Sequence, residues 1–383
     1  MNILVAHGGG PTPVMNSSLQ GVIEGVRATS RTVKLLAGRF GADGILQNDL
    51  IDLTNLNDHT IAMLARTPAT AIGSCRTKIT EADYPRVLET LRKNKIGGLL
   101  YNGGNDSMDT CHKLSMMAEK SGYGLSVMGI PKTVDNDLAG TDHSPGYGSA
   151  ARFSAIAAAE VGADASALPI HVVVMEFMGR NAGWITAAAS LGERISRCPM
   201  ITLLPETPLD TAALLAEVER KFSQGKGLLI AVSEGVRTLD GTLFAESGIV
   251  DGFGHKILGG AAQRLSDLII EELGIRSRSE KPGLLGRASM PYVSSVDREE
   301  AYAVGREAAE AILRNETGSM VALEAHRNNE YSYSLTTAPL PLVANEEKKF
   351  PAHWIEDWGI AEEFAAYCLP LLGPDLPEFA HLR

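Results

Sequence analysis

Asn102-Gly103-Gly104-Asn105-Asp106-Ser107 and Pro131-Lys132-Thr133-Val134-Asp135-Asn136-Asp137 are two loops of the same make. Each directly follows a short apolar run, Gly98-Leu99-Leu100-Tyr101 in the first case and Val127-Met128-Gly129-Ile130 in the second. Apolar runs of this length that stop at glycine or proline read as strands buried in a parallel sheet. Two neighbouring strand ends thus carry loops dense in carboxylates and small residues. In an open α/β sheet that edge is where ligands bind. Two aspartates two apart, a lysine three before the first, and a glycine pair beside a further aspartate suit metal-assisted phosphate chemistry. The lysine and a metal neutralise phosphate while one carboxylate takes a proton.

The same alternation runs outward from these loops. Residues 2–6 read as a buried strand, followed by Gly8-Gly9-Gly10-Pro11-Thr12-Pro13 and a helix over 14–28. Thr12 suits the cap of that helix and Pro13 its first position. Glycines ahead of a helix let backbone N–H groups approach an anion closely. The turn is neither a Walker A loop nor GxGxxG, and an ordinary strand–helix turn explains it equally well. Residues 33–37 read as a strand, and 70–76 as a short apolar stretch ending in a small loop with Arg76. A lone arginine is more often a solvated surface group, but its place after Gly73-Ser74-Cys75 suits a phosphate contact. Helices are predicted over 84–94 and 108–119, the second with its start aimed at Asn105, Asp106 and Ser107, one of which suits its cap.

A polar, glycine-rich passage over 140–149 leads to an alanine-rich helix over 150–161, which reads as a crossing between two lobes. Strands are predicted over 171–176, 200–204 and 228–232. Helices are predicted from Trp184 to Leu191 and over 211–222, 257–273 and 297–315. Met178-Gly179-Arg180 and Ser233-Glu234-Gly235 follow two of these strands, and Arg276, Arg278 and Arg287 sit near a further turn. Past residue 318 the pattern is mixed and predicts a tail packing back on the lobes. Strand–helix alternation throughout argues a parallel sheet in each lobe.

Composition limits the partners. The 383 residues carry a net charge of −11, which argues against a nucleic-acid surface and requires any phosphate site to be locally positive. No apolar run reaches the length of a membrane span, and the N-terminus lacks a signal peptide's basic region. The scattered Cys75, Cys111, Cys198 and Cys368 read as reduced thiols of a cytoplasmic protein.

With these loops in this order, the chain resembles the phosphofructokinase family over about residues 2–310, and most closely its diphosphate-dependent branch. Gly103 to Ser107 resembles the family's Gly-Gly-Asp-Gly-Ser loop. Pro131 to Asp137 resembles Gly-Thr-Ile-Asp-Asn-Asp, and Met178-Gly179-Arg180 the sugar-phosphate loop. Arg287-Ala288-Ser289-Met290 resembles the Gln-Arg-Ser segment of the diphosphate enzymes. The resemblance implies two Rossmann-like lobes with mostly parallel sheets and an active site in the cleft between them. Residues 1–146 with about 286–336 would form the phosphoryl-donor lobe, and 147–285 with about 337–383 the sugar-phosphate lobe.

It also implies roles. Asp135 is the expected general base at the C1 hydroxyl of fructose 6-phosphate, with Thr133, Val134 and Asp137 around the same substrate. Gly10, Arg76, Gly104 and Ser107 are the expected donor contacts. Met178, Gly179, Arg180 and Glu234 would hold the sugar, and Arg278 and Arg287 its 6-phosphate, with Arg180 also in the catalytic set. Asn105 and Asp106 would hold Mg²⁺, and a homodimer or homotetramer is implied. Asp106 and Lys132 stand where ATP-using members have glycine. A carboxylate about 4 Å from the α-phosphate of ATP would cost roughly 4 kcal/mol at an effective dielectric of about 20. Lys132 would instead neutralise a diphosphate leaving group. The alternatives are ATP as donor, or a non-catalytic sugar-phosphate binder. Asn105, His171, Leu284 and Gly286 depart from the family pattern, on the metal and 6-phosphate sides, and admit a seven-carbon sugar phosphate.

Overall fold

The computed structural model describes the chain apart from residues 30–31, 251–255, 329 and 383. It divides into two compact units. The first comprises Met1–Ser149 and Arg287–Lys348, the second Ala150–Gly286 and Lys349–Arg383. The last seam therefore falls after Lys348, not near residue 336.

The first unit is built on a seven-stranded sheet. In spatial order its strands are Ser332–Pro339, Ser319–His326, Ser126–Pro131, Ile96–Gly103, Asn2–His7, Leu35–Gly38 and Leu50–Asp52. All neighbours are parallel except the two outermost pairs, which are antiparallel. Its interior strands are apolar on both faces because helices cover both. Ile3 and Val5 face a core shared with Leu19, Val22 and Ile23 of helix Met15–Thr29 and Val304 and Ile312 of helix Ser295–Leu313. Leu4 and Ala6 face the opposite core, with Val87 and Leu91 of helix Tyr84–Lys93 and Cys111 and Leu114 of helix Asn105–Lys120. This side-to-side alternation is the two-residue period of a strand.

Register sets the position of the loops. His7 pairs with Asn102, and Gly103 with Pro131. Three strands thus end side by side, and the turns beginning at Gly8, Gly104 and Lys132 leave the same carboxyl edge.

The second unit holds a four-stranded, all-parallel sheet in the order Ser277–Glu280, Val172–Phe177, Leu228–Ser233, Met200–Leu203. Phe177 pairs with Ser233, so the Met178 and Glu234 loops also start together. The tail from Lys349 packs in this unit. Phe350, Trp354, Phe364 and Tyr367 gather around Trp184, with ring centroids 5.0 to 6.1 Å apart where they meet it and one another at Trp354 and Phe350.

Several boundaries differ from the sequence reading. The helix expected from 108 starts at Asn105, so Asn105, Asp106 and Ser107 form its first turn and Gly104 is the cap residue. The crossing helix is longer, Tyr147–Ala167. The helix expected from 257 starts at Ala261, and Lys256–Leu258 is a strand paired with Glu246–Val250. Arg278 lies in a strand instead of a turn. Thr12 does not cap the first helix: its hydroxyl is buried without a hydrogen-bond partner. Ser319–His326 and Ser332–Pro339 are sheet strands where only a mixed tail was expected.

Candidate active site

The first unit's site begins at the glycine turn. The Gly8 N–H donates to the Asn102 carbonyl and the Gly9 N–H to that of Cys75, both at 2.9 Å. Gly9 has φ +75°, which a side chain would strain. Gly10 is crowded in a different way: a Cβ there would stand 2.5 Å from Arg287 Nη1. The guanidinium of Arg287 therefore lies against the glycine turn. The Lys132 ammonium lies there too, donating to the Gly10 carbonyl at 2.8 Å.

Lys132 is only 4% exposed. Burial pulls its pKa down from 10.5 to about 8, opposed by Asp135 and Asp137 and assisted by the positive charges of Arg287 and Arg76. Four charged side chains thus act on one amine. Arg76 itself is exposed on the loop that follows Cys75. Ser107, nearly buried, packs its hydroxyl into the angle between Gly8 and Gly103. No side chain caps helix Asn105–Lys120; the Ser107 and Met108 N–H groups donate to the Gly104 carbonyl, and the helix start at the sheet edge favours an anion.

The Asp135 loop is fixed by its own side chains. The Thr133 hydroxyl accepts from the Asp135 N–H at 3.0 Å. Val134, like Lys132 and Thr133, is buried. Asn136 takes a left-handed conformation, φ +54°, and its side-chain Oδ1 accepts from the Ser144 N–H at 3.1 Å. Asn105 Nδ2 donates to Asp137 Oδ2 at 3.3 Å. Burial pushes the Asp137 carboxyl pKa up, while the Thr133 hydroxyl opposes this. Asn105 Oδ1 and Asp137 Oδ1 are both buried without a hydrogen-bond partner. Such orphaned oxygens are costly unless something else satisfies them.

Asp106 stands apart from this group. Its carboxylate is 76% exposed and pairs with Lys78 at 3.0 Å. Among the described residues no cluster of three or more His, Cys, Asp or Glu side chains is arranged to hold a metal ion.

The second unit's site is acidic at its base. Gly179, at φ +143°, has its N–H 3.5 Å from Glu234 Oε1. Its carbonyl accepts from the Ser233 hydroxyl at 2.5 Å. These contacts fix the loop that carries Met178 and the exposed Arg180. Burial raises the Glu234 pKa, and Lys281 counters that effect. Lys281 donates to Glu176 Oε1 at 2.5 Å, and Glu176 Oε2 accepts from the Ala262 N–H at 3.2 Å. Burial and the positive charges of Arg278 and Arg276 lower the His171 pKa.

The structure therefore groups Gly10, Arg76, Lys132, Asp135, Asp137 and Arg287 in one unit, and Met178, Gly179, Arg180 and Glu234 in the other. Arg287 falls beside the glycine turn of the first unit. The sequence reading missed Glu176 and Lys281. The available signal was Glu176 itself, a carboxylate in an otherwise apolar strand.

A glycine turn crowded by cations beside a carboxylate loop at a parallel-sheet edge suits phosphate chemistry, and the chain belongs to the phosphofructokinase family, whose pattern matches residues 2–312. It is 41% identical to the pyrophosphate–fructose 6-phosphate 1-phosphotransferase of Halomonas elongata, over 99% of this chain and 93% of that protein. The enzyme of the same name from Xanthomonas campestris is 40% identical over 98% and 92%. The crystal structure of the pyrophosphate-dependent phosphofructokinase from Nitrosospira multiformis is similar at a TM-score of 0.90. It is 36% identical, and the likeness covers 100% of this chain and 94% of that one. No helix of the described residues is long and apolar enough to cross a membrane.

Proposed function

We propose that the chain moves a phosphoryl group from diphosphate to the C1 hydroxyl of fructose 6-phosphate, giving fructose 1,6-bisphosphate and phosphate. The observation that carries this reading is the buried Lys132 ammonium, 2.8 Å from the Gly10 carbonyl and beside Arg76 and Arg287. A buried cation without a full carboxylate pair is costly. A diphosphate on the glycine turn offsets that cost and gains charge-assisted hydrogen bonds. Asp135 then takes the C1 proton, and Lys132 and Arg287 hold the charge that builds on the departing phosphate. Met178, Gly179, Arg180 and Glu234 bind the sugar, and Arg278 its 6-phosphate.

Mg²⁺ fits the first unit. Asn105 Oδ1 and Asp137 Oδ1 are buried oxygens without protein partners, the hard ligands this ion prefers. When bound there, the ion supplies charge neutralisation to the diphosphate. Asp106, paired with Lys78, is better suited to excluding a nucleotide than to binding the ion. A homo-oligomer in the cytoplasm is the setting this reading implies.

A coupled assay with fructose 6-phosphate and Mg²⁺, comparing diphosphate with ATP, tests the reading. Turnover with diphosphate alone is the expected result. Turnover with ATP alone would overturn the donor assignment, and turnover with neither would overturn the sugar or the catalytic role.

A further inference from the structure

Behind the Asp135 loop the first unit carries a buried charge network that the reaction does not use. His143 Nδ1 lies 2.9 Å from Asp142 Oδ1, and Nε2 lies 2.7 Å from Glu300 Oε2. His143 and Glu300 are each 1% exposed. Asp142 also takes both arms of Arg327, at 2.8 and 2.6 Å, and the Tyr331 hydroxyl donates to Glu300 Oε1. Lys348 Nζ donates to the Asp142 carbonyl at 2.6 Å and to Asn136 Oδ1 at 3.3 Å. Asp297, one turn before Glu300, accepts from the N–H groups of Gly146 and Ser149 at 2.7 and 2.9 Å.

Both ring nitrogens of His143 face a carboxylate. A neutral imidazole has a single N–H and would turn a lone pair toward one of them. The imidazolium donates to both. The ion pairs agree: Asp142 and Glu300 both face His143, and Arg327 also pairs with Asp142. The pair of carboxylates holds the His143 pKa up near 9, against the opposing effect of burial.

This network grips the segment on which the proposed base rests. The Thr133 N–H donates to the Pro145 carbonyl at 3.2 Å, Thr133 bridges Gly146, and Ser144 binds Asn136. The Asp142 N–H donates to the Leu323 carbonyl at 2.9 Å, fastening the same segment to the sheet. We propose that His143 is a positioning residue for Asp135: held by its neighbour Asp142, it ties the 141–149 return segment to Glu300 of helix Ser295–Leu313, so that Thr133 and Asn136 hold the base in place. The inference rests on the assignment of Asp135 above. It adds a requirement for a buried positive charge, not merely a filled space.

His143→Gln keeps a side chain that can hydrogen-bond and removes the charge. Its expected phenotype is a kcat 10- to 100-fold lower, with KM for diphosphate and for fructose 6-phosphate within threefold of the wild type. Amide hydrogen exchange should accelerate over residues 131–146 and stay unchanged over the strands at 2–7 and 96–101. Tyr331→Phe, which removes one donor to Glu300 and no buried charge, should lower kcat only two- to fivefold. A folded His143→Gln protein with kcat within twofold and unchanged exchange at 131–146 would overturn the proposal. So would exchange that rises across the whole sheet, since that marks general destabilisation. If His143→Gln does not fold, Arg327→Gln is read by the same two measurements and the same outcomes decide. If the wild type shows no turnover with diphosphate, the functional reading fails, whereas local exchange at 131–146 still decides the clamp.

Discussion

The two sheet edges carry buried charge of opposite sign. In the first unit a cation is buried against glycine backbone: Lys132 is 4% exposed and touches a carbonyl. In the second unit a carboxylate is buried instead, Glu176 at 3% exposed, and the loop's own cation, Arg180, stands in solvent. The first arrangement holds positive charge in place before any ligand arrives, which suits a small, highly charged donor. The second holds hydrogen-bond acceptors in place, which suits hydroxyls of a sugar. Preorganised charge has a large effect on a transition state, whereas acceptors mainly set affinity.

Substitutions can break this contrast at several depths. Asp135→Asn should have the largest effect, lowering kcat by about 10³- to 10⁴-fold with an unchanged thermal midpoint, because it removes proton transfer without altering shape. Equal kcat in the variant would remove Asp135 from the chemistry.

Lys132→Met should lower kcat by roughly 10²- to 10³-fold while making the protein more stable. The sign follows from burial. Folding lowers this lysine's pKa from 10.5 to about 8, so the folded state resists its charge. The penalty is complete below pH 8 and fades as pH rises toward 10.5. A shift of that size corresponds to roughly 3 kcal/mol at neutral pH. Denaturant unfolding of both proteins should show the variant's advantage at pH 7 and its disappearance above pH 10. Turnover of the wild type should run the other way, falling as pH rises through about 8. A variant less stable than the wild type at pH 7 would contradict the account.

Gly10→Ala is expected to raise KM for diphosphate about tenfold with little loss of stability. The new methyl meets the movable end of Arg287, not backbone. In the second unit Lys281→Met should have the smallest effect, a three- to tenfold rise in KM for fructose 6-phosphate. Removing the positive charge beside Glu234 also raises that carboxyl's pKa further, so the acid limb of kcat/KM should move to higher pH. An unmoved limb would separate Glu234 from sugar binding.

Much of the contrast is legible in the sequence because strand ends and their loops are local. Leu99-Leu100-Tyr101 and Val172-Val173-Val174 announce buried strands, and the loops that follow each carry the candidate site residues. Legibility stops where partners are distant. Ser332–Pro339 alternates half-buried and exposed residues on an outer strand, a weak pattern beside the fully apolar interior strands. The start of a helix at Asn105 is hidden because Gly103-Gly104 reads as loop, although glycine is an acceptable cap. Arg287 shares its stretch with Arg278, yet its guanidinium meets Gly10, far away along the chain. Nothing near His143 in the sequence announces Glu300, which lies 157 positions on.

Helices Met15–Thr29 and Ser295–Leu313 meet so closely that a Cβ on Gly21 would strike the Tyr302 carbonyl, and one on Gly305 the Ser18 carbonyl. Val304, Ala308 and Ile312 complete the core around Leu19 and Ile23. During synthesis the N-terminal half of this pairing therefore emerges long before its mate. The second unit's first stretch, 150–286, leaves the ribosome in between, while the first unit's apolar helix face waits uncovered. Nascent chains in which Gly305 has not yet emerged should consequently recruit holdase chaperones through residues 15–29, and release from them should coincide with its emergence.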